Sequence, residues 1–297
     1  MHCPICYGVE YWPIQSELDP TIERWRREEG DDAPHEWRLC RRCGNAYPSR
    51  QPNLRVLQRV WLQHKSTPGL TVDELKHAWV SRRGAARTIA ARSFRIFAPL
   101  AGNSGQRFLD IACGFGETVK KFADHGWVAE GIDADSSIAQ VHRDMGIHVT
   151  HGQIEEMDLG AGYHIIHIAH AIYFITNPMR FLGEVRKRLA LDGIFCVVLS
   201  DFFAHHDPGL PSYAHTFFPS AASMRYALAL AGFETIRCKR PSGSIYIAAR
   251  PASAPKAPFA SPRWTRFLLD TKPQRYALIG RPYLGLRRGA KFLVSGK

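Results

Sequence analysis

The sequence predicts an α/β protein built around a doubly wound sheet of seven strands. Two features of the 297-residue chain support this prediction. From residue 106 onward, short apolar runs alternate with segments of helical periodicity, which is the pattern of βα units around a parallel sheet. A cysteine-rich segment and a helical segment precede them, so one large domain with a small N-terminal attachment accounts for the length.

Composition narrows the class of protein. Apolar residues make up 45% and charged residues 22% of the chain, which is ordinary globular usage and excludes a collagen, a coiled coil or a fully disordered chain. No run approaches the roughly 20 apolar residues that a membrane span requires. The N-terminus lacks the basic and apolar regions of a secretory signal, so we expect a cytoplasmic protein.

The segment 1–50 carries four of the seven cysteines, in two C-x2-C pairs. An odd cysteine number without a secretory signal argues against disulfides. Two such pairs supply the four thiolates of a closed tetrahedral Zn²⁺ site, and a segment with so few apolar residues needs a metal to help it fold. We therefore predict a structural zinc ribbon in which four cysteines fill the coordination shell, with His2 and His35 as alternative ligands. The predicted ligands are Cys3, Cys6, Cys40 and Cys43.

The segment 51–103 is predicted to form a helical collar. Apolar residues recur at helical spacing from Val56 and again from Val72, on either side of a break at Pro68-Gly69. Five arginines of this region form either a solvated helix face or a contact for an anionic ligand. They are Arg82, Arg83, Arg87, Arg92 and Arg95.

The segment 104–250 supplies the sheet. We expect its last two strands to pair as an antiparallel hairpin, because only Pro241-Ser242-Gly243 joins them. The predicted strands cover 107–111, 127–132, 147–150, 164–169, 193–199, 233–239 and 243–249, and the predicted helices lie near 116–125, 136–145, 178–190 and 220–231.

The segment 251–297 begins as a Pro/Ala linker and continues as a basic extension, with ten Lys or Arg and one acid. We expect the extension either to pack on the sheet domain through Trp264 and Phe267, or to contact an anionic substrate or membrane surface. The second case would place the protein at the inner face of the membrane. The sheet segment is close to neutral, which disfavours nucleic acid as a partner.

The first predicted strand of the sheet ends in an acid and a glycine-containing turn. Asp110 is followed by Gly114, Gly116 and a helical segment, so the backbone can approach a ligand closely at the carboxyl edge of the sheet. The second strand ends on Asp133, which is placed to accept hydrogen bonds from two ribose hydroxyls. The sequence therefore predicts a nucleotide site at this edge.

In these motifs the sequence resembles the class I S-adenosylmethionine-dependent methyltransferases, which have a Rossmann-like fold, over about residues 104–250. Their first motif is an acid followed by glycines at alternate positions. Asp110, Gly114 and Gly116 match it, and Ala112 stands where the first glycine usually lies. The terminal hairpin is also typical of this family.

The resemblance implies S-adenosylmethionine as the cofactor. Asp110 would lie near its methionine amino group, the glycines would let it approach, and Asp133 would hold its ribose. Gln153 and Ile154, after the third strand, would flank the adenine, and His170 matches the first His of the family's fourth-strand motif. The implied cofactor-binding residues are Asp110, Ala112, Gly114, Gly116, Asp133, Gln153, Ile154 and His170.

The same fourth-strand motif carries a Glu-His pair in relatives, and Tyr173-Phe174 replaces it here. Transfer to a hydroxyl requires a base, and histidine is the natural group near neutral pH. The loop after the fifth strand offers three histidines, the last of which either lines the substrate pocket or caps the loop. The candidate catalytic residues are His205, His206, His215 and Tyr173.

Many bacterial methyltransferases that modify sugars, glycans or natural products carry a similar N-terminal cysteine ribbon. We therefore expect methyl transfer to a small molecule, sugar or glycan, at oxygen. An rRNA or tRNA methyltransferase that uses the basic collar and extension is one alternative, although the chain lacks the N-P-P-Y type motif of nucleobase amino-group methyltransferases. A non-enzymatic zinc-ribbon adaptor is the other.

Overall fold

The computed structural model describes residues 1–14, 18–57, 59, 71–101, 106–152, 160–201, 213–241, 243–258 and 261–280. Four of the predicted site residues lie outside the described residues, namely Gln153, Ile154, His205 and His206. The break predicted at Pro68-Gly69 also lies outside them.

Residues 1–57, termed the N-terminal unit here, contain a three-stranded antiparallel sheet in the order β1-β2-β3. The two cysteine pairs lie at its ends, because Cys40 closes the second strand and the turn to the third carries Cys43. The strands are β1 (Tyr11–Ile14), β2 (Trp37–Cys40) and β3 (Ala46–Pro48).

Helix α1 (Pro20–Glu28) lies in the connection between β1 and β2. Its start is encoded locally, because the Asp19 carboxylate accepts a hydrogen bond from the Thr21 N–H at 2.8 Å and a proline occupies the first turn, where no N–H is needed. Trp25 points inward and is buried. The polar, Trp-rich insert between the cysteine pairs therefore contains a packed helix.

Helix α2 (Val72–Phe97) forms the collar and is followed by a 3₁₀ turn at Ala98–Leu100. A capping box closes its start: the Thr71 hydroxyl accepts from the Glu74 N–H, and the Glu74 carboxylate accepts from the Thr71 N–H at 2.8 Å. The helix runs for 26 residues and packs against the helix that follows the first strand of the central sheet.

The central sheet has seven strands in the order β6-β5-β4-β7-β8-β10-β9. Five of them are parallel, and β10 is antiparallel to both of its neighbours. This confirms the predicted α/β class and the terminal hairpin. The strands are β4 (Arg107–Ile111), β5 (Val128–Asp133), β6 (His148–His151), β7 (Tyr163–Ala169), β8 (Leu189–Ser200), β9 (Phe233–Lys239) and β10 (Ser244–Pro251).

In the described part of the chain, four helices connect these strands at the positions that periodicity predicts. The largest deviation is the start of β8 at Leu189, four residues before the predicted strand, because the helix before it ends with no intervening loop and Leu189 is already extended (φ −71°, ψ 145°). The helices are α3 (Glu117–Ala123), α4 (Ala139–Asp144, after a 3₁₀ turn at Ser136–Ile138), α5 (Pro178–Arg188) and α6 (Ala221–Leu230).

The apolar core continues from the N-terminal unit into one face of the central sheet. A single cluster of buried residues contains the four paired cysteines, Trp37 and Tyr47, together with strand residues such as Ile168 and Phe195. A second cluster on the other face contains Phe97 of α2. The cysteine-rich segment therefore packs on the sheet and shares its core.

The C-terminal extension packs on the N-terminal unit. Its helices are α7 (Pro262–Asp270) and α8 (Lys272–Arg275), followed by a π turn at Tyr276–Gly280. Gly44 has φ +68°, and a Cβ built on it would lie 3.2 Å from Thr265 Oγ1. The Arg266 guanidinium donates to the Pro13 carbonyl at 2.6 Å. The extension thus covers the turn that carries the second cysteine pair.

The structure contradicts one of the two alternatives for the extension, in which Trp264 and Phe267 pack it on the sheet domain. Their side chains are 57% and 49% exposed and stack on each other, with ring centroids 5.1 Å apart. The inward face of α7 instead carries Thr265, which is buried, and the leucines 268 and 269, which pack against the core cluster. Among the described residues, no helix is both long and apolar enough to cross a membrane.

Candidate functional site

The turn after β4 has three residues in the left-handed region of the backbone. Gly114 and Gly116 have φ +54° and +79°, and Ala112 has φ +54°. An L-residue with a side chain pays about 1–2 kcal/mol for this conformation. Ala112 therefore adopts the geometry that a glycine at this position of the family motif would adopt, at a local energetic cost.

The Gly114 peptide is held from both sides. Its N–H donates to Asp133 Oδ2 at 2.7 Å, and its carbonyl is 2.7 Å from Nε2 of His142 on α4. The other Asp133 oxygen accepts from the Asp135 N–H at 2.9 Å. Burial raises the pKa of Asp133 despite these two hydrogen bonds. The structure thus brings Asp133 onto the glycine turn, and His142 is a site residue that sequence reasoning missed.

Space around the two glycines differs. Among the described residues, no atom outside the immediate chain lies within 4 Å of a Cβ built on Gly114, so this position faces open space. A Cβ on Gly116 would lie 2.2 Å from Ile147 Cδ1. Gly114 is therefore suited to close approach by a ligand, and Gly116 is required for packing.

Helix α2 covers the start of α3. The buried Glu117 carboxylate accepts from the indole N–H of Trp79 at 3.1 Å and pairs with the guanidinium groups of Arg83 and Arg87, each at 3.3 Å. These two arginines therefore have an internal partner and are not simply solvated. The collar is thereby fixed beside the glycine turn.

Asp110 lies near the end of β4 and is only 3% exposed. Its Oδ1 is 2.7 Å from Nδ1 of His167, which lies directly opposite it on β7. Sequence reasoning missed His167, because a single histidine within an apolar strand gives no motif.

The ends of β7 and β8 bring three polar side chains together. His170 Nδ1 lies 3.2 Å from Ser200 Oγ and 3.3 Å from the Tyr173 hydroxyl. His170 has φ +54°, a strained conformation for a residue with a side chain, and such strain concentrates at functional sites. Burial raises the pKa of Tyr173 to about 12, so its phenol stays protonated near neutral pH.

His215 lies against this group. Its ring is edge-on to Tyr173, with centroids 4.8 Å apart, and stacks on Phe174 at 5.2 Å. The backbone N–H of Thr216 donates to the Tyr173 carbonyl at 2.8 Å. The structure thus brings together His215, Tyr173 and His170 from the predicted set, and adds Ser200.

The N-terminal unit holds the segment that carries His215. Ala46 and Phe218 exchange two backbone hydrogen bonds, and the Phe218 ring stacks on Tyr173 at 4.9 Å with an interplanar angle of 6°. Two residues before His215, the Tyr213 hydroxyl donates to the carboxylate of Asp31, which is buried and also accepts from Arg26. The wall beside Tyr173 is therefore built partly by the cysteine-rich unit.

The four paired cysteines form a candidate metal centre. Their sulfurs all lie within 4.8 Å of one another, with Cys3–Cys43 at 3.5 Å and Cys6–Cys40 at 3.4 Å, and all four are buried. A tetrahedral site with Zn–S bonds of about 2.3 Å separates its sulfurs by about 3.8 Å, so the donor set fits Zn²⁺.

The predicted competing ligands do not join this centre. Among the described residues, the cluster able to hold a metal consists of the four cysteines alone. The His35 ring packs on Tyr213 with centroids 4.8 Å apart, and burial lowers the pKa of His35 to about 4.

A family model described as a methyltransferase domain matches residues 82–237. No curated protein sequence matches the chain.

Solved structures with a similar fold include the CcbJ methyltransferase of Streptomyces caelestis, with 14% identity over 66% of this chain and 96% of that chain and a TM-score of 0.47. An S-adenosylmethionine-dependent methyltransferase from Clostridium acetobutylicum ATCC 824 has 9% identity over 61% and 99% of the two chains, with a TM-score of 0.46. The glycopeptide N-methyltransferase MtfA, solved with S-adenosylmethionine, has 16% identity over 56% and 94%, with a TM-score of 0.45.

The family assignment rests on the family model, which matches more than half of the chain and spans the glycine turn, the second-strand acid and the ends of β7 and β8. On that match, the chain belongs to the methyltransferase-domain family.

Proposed function

We propose that the protein transfers a methyl group from S-adenosylmethionine to a hydroxyl of a small molecule, sugar or glycan. One observation carries this proposal: two features lie at the ends of neighbouring strands, on one edge of the sheet. The first is the open glycine turn with its acid, and the second is the group of polar side chains that can exchange protons. The first can hold a nucleoside cofactor, and the second can activate an acceptor.

The glycine turn supports the cofactor assignment. The open surface at Gly114 lets a ligand approach the backbone, and a carboxylate has about four acceptor positions, of which Asp133 uses two within the protein. The remaining positions would accept the two ribose hydroxyls. When bound, S-adenosylmethionine supplies an electrophilic methyl group.

The polar group at the ends of β7 and β8 would act on the acceptor. We assign His170 as the base, because its imidazole can accept a proton near neutral pH. The Tyr173 phenol, protonated through burial, would donate a hydrogen bond, and His215 would line the wall of the acceptor site. Methyl transfer also requires an oriented and desolvated nucleophile, which the surrounding aromatic rings favour.

The cysteine centre is proposed to hold one structural Zn²⁺. Four sulfurs fill the coordination shell, so the ion would have no open position for catalysis. Its effect on the reaction would come through the N-terminal unit, which holds the segment beside Tyr173.

The RNA alternative is less well supported. Arg83 and Arg87 of the collar pair with Glu117, and Arg92 interacts with Tyr246, so three of the five collar arginines have partners within the protein. The exposed stack of Trp264 on Phe267 is part of the basic extension, and it favours contact of the extension with an anionic surface. Sedimentation with anionic and zwitterionic vesicles, compared with retention on RNA at rising salt, separates the two partners.

Calorimetric titration with S-adenosylmethionine tests the cofactor assignment. Asp133→Asn should weaken binding by about 1.5–3 kcal/mol, or roughly 10–150-fold, because charge-assisted hydrogen bonds to the ribose are lost. Asp144→Asn, an exposed acid on α4 paired with Lys76, is the matched control and should bind normally. Equal affinity of the wild type and Asp133→Asn would refute the ribose assignment.

Transfer of a labelled methyl group to a panel of nucleotide sugars, oligosaccharides and RNA tests the acceptor class. With an active acceptor, the rate should rise with pH through the titration of a histidine, and His170→Gln should remove this dependence while cofactor affinity is kept. A His170→Gln enzyme with an unchanged pH–rate profile would exclude His170 as the base.

A further inference from the structure

Three side chains from different elements form a buried chain of hydrogen bonds beneath the glycine turn. Ser93 Oγ on α2 lies 3.1 Å from His167 Nε2 on β7, and His167 Nδ1 lies 2.7 Å from Asp110 Oδ1 on β4. Ser93 and His167 have no exposed surface, and Asp110 is 3% exposed. The chain links the collar to the strand that leads into the glycine turn.

The position of His167 would be expected to hold an apolar residue. Its neighbours on the same face of β7 are Ile165 and Ala169, and its ring lies among Phe97 and Phe108 at 5.9 and 6.0 Å between centroids. Burying an imidazole and a carboxylate costs free energy that only their hydrogen bonds offset, and an apolar pair is often at least as stable. Stability alone therefore does not explain this pair.

The pair fixes the carboxylate that, by the family resemblance, lies near the methionine amino group of the cofactor. Asp110 and His167 are directly opposite in the β4–β7 ladder, so their side chains project on the same face. Asp110 lies two residues before Ala112 and four before the open surface at Gly114. A neutral imidazole whose Nδ1–H donates to Asp110 holds this carboxylate in one orientation, and Ser93 can donate to Nε2 and fix that tautomer.

We propose that His167 is a positioning residue for cofactor binding: it holds the Asp110 carboxylate in the orientation that receives the cofactor's ammonium group, and Ser93 fixes the ring in the required tautomer. This inference rests on the proposed use of S-adenosylmethionine. The collar helix α2 would thus contribute to cofactor recognition through its buried Ser93, without contacting the cofactor itself.

Other titratable groups face the pair and bear on its pH dependence. Cys113, in the glycine turn, has its pKa raised by burial and by the charges of Asp110 and Asp133. Cys196 lies beside His167 on β8, and burial raises its pKa as well. On the far side of Phe97, burial raises the pKa of Tyr246, near Arg92. These thiols and the phenol are all neutral near pH 7, so they add no charge beside the pair.

The test is the affinity for S-adenosylmethionine and the number of protons exchanged on binding, measured by calorimetry in buffers of different ionisation enthalpy. His167→Leu leaves Asp110 buried without its donor, so the carboxylate takes up a proton and must release it when the ammonium group binds. We expect at least tenfold weaker binding at pH 7 and the release of about one additional proton. His167→Asn, whose amide can still donate to Asp110, should stay within about threefold of the wild type, with unchanged proton release.

Asp110→Asn is the control for the carboxylate. It should also bind the cofactor more weakly, but without the release of an additional proton, because asparagine has no carboxyl proton to lose. If His167→Leu does not fold, His167→Gln replaces it, since its amide group reaches toward Ser93 instead of Asp110. Wild-type affinity and proton release in a folded His167→Leu or His167→Gln protein would overturn the inference. Equal losses in His167→Asn and His167→Leu would overturn it too, because they would indicate a purely steric role. A wild-type protein that binds no S-adenosylmethionine would instead refute the proposed function.

Discussion

Replacing Gly116 by alanine tests how the glycine turn is built. The left-handed φ of +79° costs alanine about 1–2 kcal/mol. The added Cβ also meets Ile147 Cδ1 at 2.2 Å, but that atom ends a flexible, half-buried side chain, so the overpacking cost is near its lower limit of about 1 kcal/mol. Alanine also has less conformational entropy than glycine in the unfolded chain, which offsets about 0.5 kcal/mol of this destabilisation. We therefore expect Gly116→Ala to lower the free energy of unfolding by about 2 kcal/mol.

Two further variants separate these contributions. Gly114→Ala has a similar left-handed φ but open space around its Cβ, so it should cost only about 1 kcal/mol of stability while weakening cofactor binding, since the methyl group fills the open surface. Ile147→Val removes Cδ1, and this half-buried change should cost about 0.5 kcal/mol. The double variant Gly116→Ala/Ile147→Val should then be destabilised by about 1.5 kcal/mol, below the additive value of about 2.5 kcal/mol.

Urea unfolding, followed by fluorescence and circular dichroism, gives these free energies, and calorimetry gives the cofactor affinity. Strict additivity of Gly116→Ala and Ile147→Val would refute the steric contribution. A Gly114→Ala protein with wild-type cofactor affinity would refute the role assigned to the open surface.

Three other perturbations follow from the structure. Cys40→Ser should reduce bound zinc from about one ion per chain to nearly none, which elemental analysis measures. The same variant should impair acceptor turnover more than cofactor affinity, because the N-terminal unit holds Phe218, and paired rate and binding measurements test this. Burial lowers the pKa of His35 from 6.5 to about 4, so between these pH values the unfolded chain binds a proton that the folded chain does not. The free energy of unfolding therefore decreases as the pH falls from 6.5 to about 4. His35→Phe should flatten this part of the stability–pH curve in urea titrations. Truncation after Arg250 should uncover Gly44, lowering the thermal midpoint and zinc retention; an unchanged midpoint would show that α7 contributes no net stability.

Local patterns were sufficient for most of the central sheet. The strand that leads into the turn, the second-strand acid and the terminal hairpin follow from alternation, end residues and a short connection. The start of α1 also had a local signal, since Asp19 and Pro20 form a capping sequence, but the surrounding polar residues hid it. Local reasoning thus finds elements wherever the pattern and the caps agree.

The contacts that connect distant segments could not be predicted in this way. His167 carries no motif, and its role depends on Ser93 and Asp110, which lie 74 and 57 residues away in the sequence. The pairing of Ala46 with Phe218 likewise follows from neither segment alone. Which face of α7 is buried was misjudged because aromatic residues are expected to be inside, whereas Thr265 fits against the bare backbone of Gly44.

The packing of α7 on the second cysteine turn has a consequence for the order in which the protein matures. Gly44 is synthesised early, but Thr265, which covers it, is 221 residues later in the chain. At translation rates of 5–20 residues per second, this delay is roughly 10–45 s. The second cysteine turn therefore lacks its helical cover throughout that interval, and it lacks the strand partner at Phe218 for most of it. The turn is completed only after α7 has been synthesised, and until then its cysteines are open to oxidation and its apolar residues to aggregation.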